Sequence, residues 1–211
     1  MPTLETLLIF TAAALLMNIS PGPSNFYVMS RSVAEGWRGG AVAAMGLALG
    51  SLLHVLAAAL GLSAMFYYFP AAYGVVKLIG AAYLIYLGIR YLRGSNGGAI
   101  TLAHAAVRPH TRIFSESVLI ELLNPKTALF FLAFLPQFVD VSRGPPAPQI
   151  LLLGLIVTLS AIPCDLFVVW VSGSAARALS GSTRLARIQE FVSGSVLIAL
   201  GLYVAQTERV E

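Results

Sequence analysis

The stretch Ala12-Ala13-Ala14-Leu15-Leu16-Met17-Asn18-Ile19-Ser20-Pro21-Gly22-Pro23-Ser24-Asn25 decides the fold. It lies inside an apolar run from about Thr6 to Met29. A transmembrane helix needs roughly 20 mostly apolar residues, so the run is long enough to cross a bilayer. Yet it carries two prolines around a glycine. Proline in a helix removes a backbone hydrogen bond and clashes with the preceding turn. Lipid cannot satisfy the carbonyls that this frees. Such backbone is tolerated at membrane depth only where it is buried in protein or lines a wet cavity. Asn18, Ser20, Ser24 and Asn25 surround the break with polar groups. Two readings follow: a broken helix whose free ends bind a solute, or a kink that neighbouring helices satisfy.

The rest of the chain agrees with a lipid solvent. Its 211 residues are 58% hydrophobic and only 10% charged, with mean hydropathy +0.84. Soluble domains carry about 25% charged residues, so there is too little charge here to build a water-facing surface. The N-terminal run has an acid, Glu5, and no Lys or Arg ahead of its apolar stretch. It reads as a first span rather than a signal peptide. Further spans are expected at about Gly40–Phe66, Tyr73–Arg93, Phe114–Val139 (interrupted at Pro125), Gln149–Gly173 and Phe191–Gln206. A short polar loop is expected at Arg31 to Arg38. The expected fold is an all-α integral membrane protein of six transmembrane helices. It forms one domain over residues 1–211, with halves at about 4–93 and 113–206 and a polar loop at about 94–112.

The halves resemble each other. Asn18-Ile19-Ser20-Pro21 parallels Leu123-Asn124-Pro125. Gly46-Leu47-Ala48-Leu49 parallels Gly154-Leu155-Ile156-Val157. Leu84-Ile85-Tyr86-Leu87-Gly88 parallels Leu197-Ile198-Ala199-Leu200-Gly201. A three-helix unit crosses the membrane an odd number of times, so its copy must be inverted. A 3+3 inverted repeat with helices 1 and 4 interrupted is a transporter signature, with the site near the midplane.

Lys and Arg give the orientation. Nine arginines (31, 38, 90, 93, 108, 112, 177, 184 and 187) fall on one side of the expected spans, against Arg143 and Arg209 on the other. The rich side should be cytoplasmic, which places both termini outside. The net charge of +4 then reflects the leaflet facing these loops, and no basic-aromatic surface for nucleic acid is present.

Several residues could carry chemistry. Lys126, after Asn124-Pro125, is expected near the middle of helix 4, where a lysine costs about 2.5–3.5 kcal/mol to insert. It should anchor a carboxylate or pair structurally with Asp165. Asp165, in helix 5, could bind an ammonium or a proton, or serve only as that partner. Glu121 is a further candidate for proton coupling. His54 is another: with Gly46 and Gly50 it falls on one helix face, where a buried histidine is more often structural. The candidate binding set is therefore Asn18, Pro21, Gly22, Pro23, Asn25, Asn124, Pro125, Lys126 and Asp165. No metal spacing, cofactor motif or nucleophile–base pair is present, so no metal, cofactor or enzyme activity is expected.

The chain resembles the LysE/RhtB amino-acid exporters. The resemblance rests on Ser20-Pro21-Gly22-Pro23, Gly46, Gly50 and Gly61, Lys77 with Gly80-Ala81-Ala82-Tyr83-Leu84, and Leu87-Gly88. Asn124-Pro125-Lys126, Phe130-Phe131 and Phe134-Leu135-Pro136-Gln137-Phe138 complete it, over about residues 4–206. It implies a six-helix secondary transporter of the bacterial inner membrane that works without ATP. Its expected partners are a small amino-acid-like substrate and the lipid bilayer, and self-association as a homo-oligomer stays open. Proton-coupled export of a zwitterion is the leading reading. A divalent-cation exporter on a similar scaffold and a non-transporting membrane scaffold are the rivals.

Overall fold

In the computed structural model, which describes residues 1–20, 22–68, 70–93, 107–179 and 183–206, all regular structure among the described residues is helical. Helix α1 spans Leu4–Ile19, and its first turn is capped by the Thr3 hydroxyl, which accepts from the Thr6 N–H at 3.1 Å. Its 16 residues reach only about 24 Å at 1.5 Å per residue. That is short of a hydrocarbon core of about 30 Å, until the turns that resume at Pro23 are added.

Helix α2 spans Pro23–Tyr68 and contains one sharp irregularity, Gly36 at φ 69°, ψ −162°. The polar segment Arg31–Arg38, expected as a loop, is helical on both sides of this glycine. Two features explain the difference. Arg31 and Glu35 pair at 3.0 Å across one helical turn with both side chains buried, so their charges do not force the segment into water. The change of direction is absorbed by the one residue type that adopts such a conformation readily.

Helix α3 spans Pro70–Leu92 and α4 spans His110–Leu122. After a break at Leu123-Asn124 the chain resumes as α5, Pro125–Leu129. A π-helical turn, Phe130–Phe134, and a 3-10 turn, Leu135–Phe138, continue it. The pieces on either side of the break are bent by 44°. Proline at the first helical position fits both restarts, Pro23 and Pro125, because its missing N–H is unpaired there anyway. Helix α6 spans Pro146–Leu179 and α7 spans Thr183–Gln206. Both run several residues beyond the expected bounds, and Pro163 is accommodated inside α6.

Among the described residues, three stretches are long and apolar enough to cross a membrane: Pro23–Phe66, Gly74–Leu92 and Pro146–Ser172. The bent pair α4–α5 would make a fourth, and Leu4–Ile19 and Glu190–Gln206 are shorter apolar helices. The outside is apolar while charge is inside: Leu60 and Trp170 are 76% and 66% exposed, Lys126 only 3%. That inversion fits a lipid solvent.

Small residues set the helix crossings, as expected where close packing rather than water drives association. Helix α2 runs antiparallel to α6, with Gly40 against Val169, Ser51 bonded to Thr158 at 2.8 Å and Val55 against Gly154. It runs parallel to α4, with Gly46 against Phe114 and Ser117, and Gly50 against Val118 and Glu121. Helices α3 and α7 pack antiparallel with a reciprocal pattern. Gly88 meets Gly194 and Ile198, while Gly201 meets Ala81 and Ile85. Each residue of one set lies 113 positions from its counterpart (Ile85 to Ile198, Gly88 to Gly201). The other glycine pair of the proposed repeat behaves differently: Gly46 faces α4, whereas Gly154 faces α2.

The two ends of the bundle are also defined. The Met1 ammonium donates to the Arg143 carbonyl at 2.8 Å, and the Arg108 N–H donates to Glu35 at 3.0 Å. Gly40 beside Val169 and Val55 beside Gly154 place these contacts at opposite ends. The chain from Met1 to Glu35 therefore traverses the bundle despite its break.

Candidate functional site

The two breaks meet. Residues from α1, α2, α4, α5 and α6 line a partly open cavity of about 40 Å³ beside Asn18, Asn25, Asn124, Lys126 and Asp165. That holds a few water molecules. Most of the expected binding residues thus converge. Pro23 starts α2 beside it, and Gly22 presses against Lys126, whose Nζ would stand 3.1 Å from a Cβ at that position. Pro125 opens α5. Pro21 lies outside the described residues.

Lys126 turns toward the first break and not toward Asp165. Its ammonium donates to the carbonyl oxygens of Met17 at 3.1 Å and Ser20 at 2.6 Å. These belong to the C-terminal end of α1, where carbonyls lack intrahelical partners and the helix dipole is negative. The lysine of one break therefore caps the open end of the other. The expected ion pair with Asp165 is absent among the described residues.

Asn124 caps α5 by accepting the Lys126 N–H on Oδ1 at 3.1 Å and donates from Nδ2 to Ser24 Oγ at 2.9 Å. Asn18 donates to the Val157 carbonyl at 3.1 Å and to Ser160 Oγ at 3.0 Å, tying α1 to α6. Asn25 donates to the Asn18 carbonyl at 3.3 Å. The polar groups of the first break are thus largely satisfied by protein. The buried Ser20 hydroxyl is an exception, with no partner among the described residues.

The two cavity carboxylates differ. Glu121 is surrounded by donors: the Ser24 hydroxyl, the Thr127 hydroxyl at 2.9 Å and the Asn124 amide at 3.4 Å. Asp165, only 8% exposed, lines the cavity with no hydrogen-bond donor among the described residues. His54 is outside the cavity lining. Its Nε2 contacts the Glu121 carbonyl at 3.0 Å, and its ring stacks on Phe131 at 5.7 Å. This placement is that of a histidine joining α2 to α4.

Sequence reasoning passed over Thr127, Ser51 and Tyr27. Thr127 could have been found as a hydroxyl within one turn of the second break. Tyr27 donates to Glu116 at 2.8 Å, and Glu116 also pairs with Arg108 and, at 2.9 Å, with Arg112. This network binds the first turns of α2 to α4 about one turn from the cavity. Nothing in the spacing of Tyr27 and Glu116 signals that contact, because it joins the two halves of the chain.

A polar, charged cavity at two helix breaks inside an apolar bundle defines a class, the membrane transporters with discontinuous helices. The chain belongs to the LysE type translocator family, whose model matches residues 15–208. It is 31% identical over 180 residues to the homoserine/homoserine lactone efflux protein of Salmonella typhi, covering 81% of this chain and 86% of that one. It is 28% identical over 198 residues to the leucine efflux protein of Salmonella choleraesuis strain SC-B67, covering 93% and 92%. The membrane protein YrhP of Bacillus subtilis, uncharacterized, is 29% identical over 207 residues, with 94% and 98% covered. No solved structure matches the chain.

Proposed function

We propose that this protein exports small amino acids or related zwitterions across the bacterial inner membrane, driven by the proton gradient. One observation carries the reading. The cavity between the two breaks offers, within one small volume, an ammonium (Lys126), two carboxylates (Glu121, Asp165) and neutral amides (Asn18, Asn25). These are the complements of an α-carboxylate and an α-ammonium. Lys126 has three N–H donors and gives two to α1, which leaves one for the cargo carboxylate. The efflux relatives, named for homoserine and leucine, supply the direction and the substrate class.

The architecture we propose is six spans in a 3+3 inverted repeat. The reciprocal glycine contacts of α3 and α7 support it. So does the packing of α1 on α6 and of α4 on α2, which exchange under the same operation. The arginine asymmetry supports a cytoplasmic face at the Arg108 end and an external N-terminus beside Arg143.

The test is flux of labelled leucine, homoserine, threonine and lysine from proteoliposomes of the purified protein. Net flux of at least one, driven by an imposed proton gradient and abolished by dissipating it, is the expected result. No flux of any, with well-folded protein, overturns the reading. Membrane-impermeant labelling of a cysteine at Thr3 tests the topology: reaction only from the cytoplasm would reverse it.

A further inference from the structure

The charged groups lining the cavity do not balance. From α5 comes one cation, Lys126. From α4 comes Glu121, and from α6 comes Asp165, whose chain neighbour Cys164 is half-buried. The parts of α1 and α2 that line it contribute only neutral groups, among them Met17, Asn18, Ser24 and Ser51. Ionised throughout, the site would hold two negative charges against one positive. An uncompensated carboxylate is costly in a low-dielectric interior, so one of the two must take up a proton or pair directly with a cation.

Geometry decides which carboxylate does so. Glu121 accepts from two hydroxyls and an amide, so its oxygens are already occupied by donors of the protein. Asp165 is buried, lines the cavity and has no donor among the described residues. Lys126 is turned away from it toward Met17 and Ser20, with no N–O approach within 4 Å.

We infer that Asp165 is the exchange site of the transporter, holding a proton when the cavity is empty and the ammonium of the cargo when it is loaded. This rests on the amino-acid reading above and adds its coupling. On the cytoplasmic side the cargo ammonium displaces the proton from the Asp165 carboxyl, and that proton leaves to the cytoplasm. On the outer side an incoming proton displaces the ammonium. One carboxylate serves both ligands in turn, so one proton enters for each cargo exported. For a zwitterion the cycle carries one positive charge inward and draws on the membrane potential as well as the pH gradient. A cargo without an ammonium has nothing to set against Asp165 and is not exported.

The sign of the pH dependence follows. Where empty Asp165 is protonated and loaded Asp165 ionised, cargo affinity weakens about tenfold for each unit fall in pH, and binding releases roughly one proton. Above the pH at which the empty carboxyl ionises, both effects vanish.

The experiment is leucine binding to the purified full-length protein by calorimetry in buffers of different ionisation enthalpy. Wild type is expected to release about one proton on the acid side. Asp165→Asn should bind leucine more weakly and release none, Asp165→Glu should restore release, and Glu116→Gln, outside the cavity lining, should leave it in place. In proteoliposomes Asp165→Asn should lose accumulation driven by a pH gradient. Leucine binding to wild type without proton release at any pH overturns the exchange role while the export reading stands. So does undiminished release from Asp165→Asn. If Asp165→Asn does not fold, the wild-type release and its recovery in Asp165→Glu decide alone. Folded wild type that binds no amino acid removes the export reading and this inference together.

Discussion

The Lys126 ammonium stands 2.6 Å from the Ser20 carbonyl oxygen, and through that bond the break of one half of the chain closes the break of the other. The first break ends α1 with carbonyls that lipid cannot satisfy. The second delivers a cation to them from a side chain otherwise too costly to bury. Each feature alone would destabilise the bundle.

Lys126→Ala should therefore cost stability as well as transport. It strips the Met17 and Ser20 carbonyls of their donor, and a buried polar group left unsatisfied costs about 1–3 kcal/mol. Melting temperature in detergent should fall clearly and flux should be lost. Adding Asp165→Asn should not restore the melting temperature, because the two side chains share no ion pair. Recovery in the double variant would show that charge balance, rather than the cap on α1, sets the stability.

Gly22→Ala separates the cap from the fold. The added Cβ would stand 3.1 Å from Lys126 Nζ and 3.3 Å from Cε. The end of a lysine can yield by a few tenths of an ångström, at about 0.5–1.5 kcal/mol if it leaves its rotamer. Folded yield should be near normal, while flux should drop several-fold because the ammonium is displaced from the cavity. Unchanged flux in a stable Gly22→Ala protein would mean that the position of Lys126 is not critical to transport.

How much of this was legible beforehand follows from what each signal encodes. Proline positions are local, so both breaks could be read from Pro23 and Pro125, and the polar residues near them converge. Lys126 could be read as buried because it lay mid-span. Its partners could not, because backbone carbonyls carry no sequence signature and Met17 looks like any apolar residue. The helical course of Arg31–Arg38 was hidden for a related reason. Charges normally mark a loop, but here Arg31 and Glu35 neutralise each other inside the bundle. The 3.6-residue period also gave no notice of the π-turn at Phe130–Phe134. There ring stacking of Phe130 on Phe134, at 4.8 Å, and packing of Phe10 on Phe138, at 5.1 Å, accompany the altered geometry.

Gly36→Ala tests whether the bend in α2 positions the segment that carries Ser24 and Tyr27. No atom lies within 4 Å of a Cβ there, so crowding is not the issue. The cost is conformational: φ 69° with ψ −162° is nearly exclusive to glycine, and an L-residue there costs about 1–3 kcal/mol. The variant should lose that much stability and lower the transport rate. A melting temperature equal to wild type would show that the bend relaxes without cost.

The reciprocal packing of α3 and α7 makes the most discriminating stability prediction. A Cβ on Gly88 would stand 2.6 Å from the Gly194 carbonyl oxygen and 3.0 Å from the Ile198 nitrogen. On Gly201 it would stand 2.9 Å from the Ala81 carbonyl oxygen and 3.1 Å from the Ile85 nitrogen. All four are backbone atoms, which cannot rotate away as a side chain does, so the helices must separate. Gly88→Ala and Gly201→Ala should each destabilise by about 1–3 kcal/mol, the usual cost of overpacking, with Gly88→Ala the worse because its approach is closer. The double variant should cost less than the two together, since the first methyl already opens the pair for the second. Gly61→Ala is the control: nothing lies within 4 Å of its Cβ, so it should be near neutral or slightly stabilising through helix propensity. Thermal melts of the four proteins in one detergent decide the matter. A neutral Gly88→Ala, or a Gly61→Ala as damaging as either partner, would show that this glycine contact does not hold the two halves together.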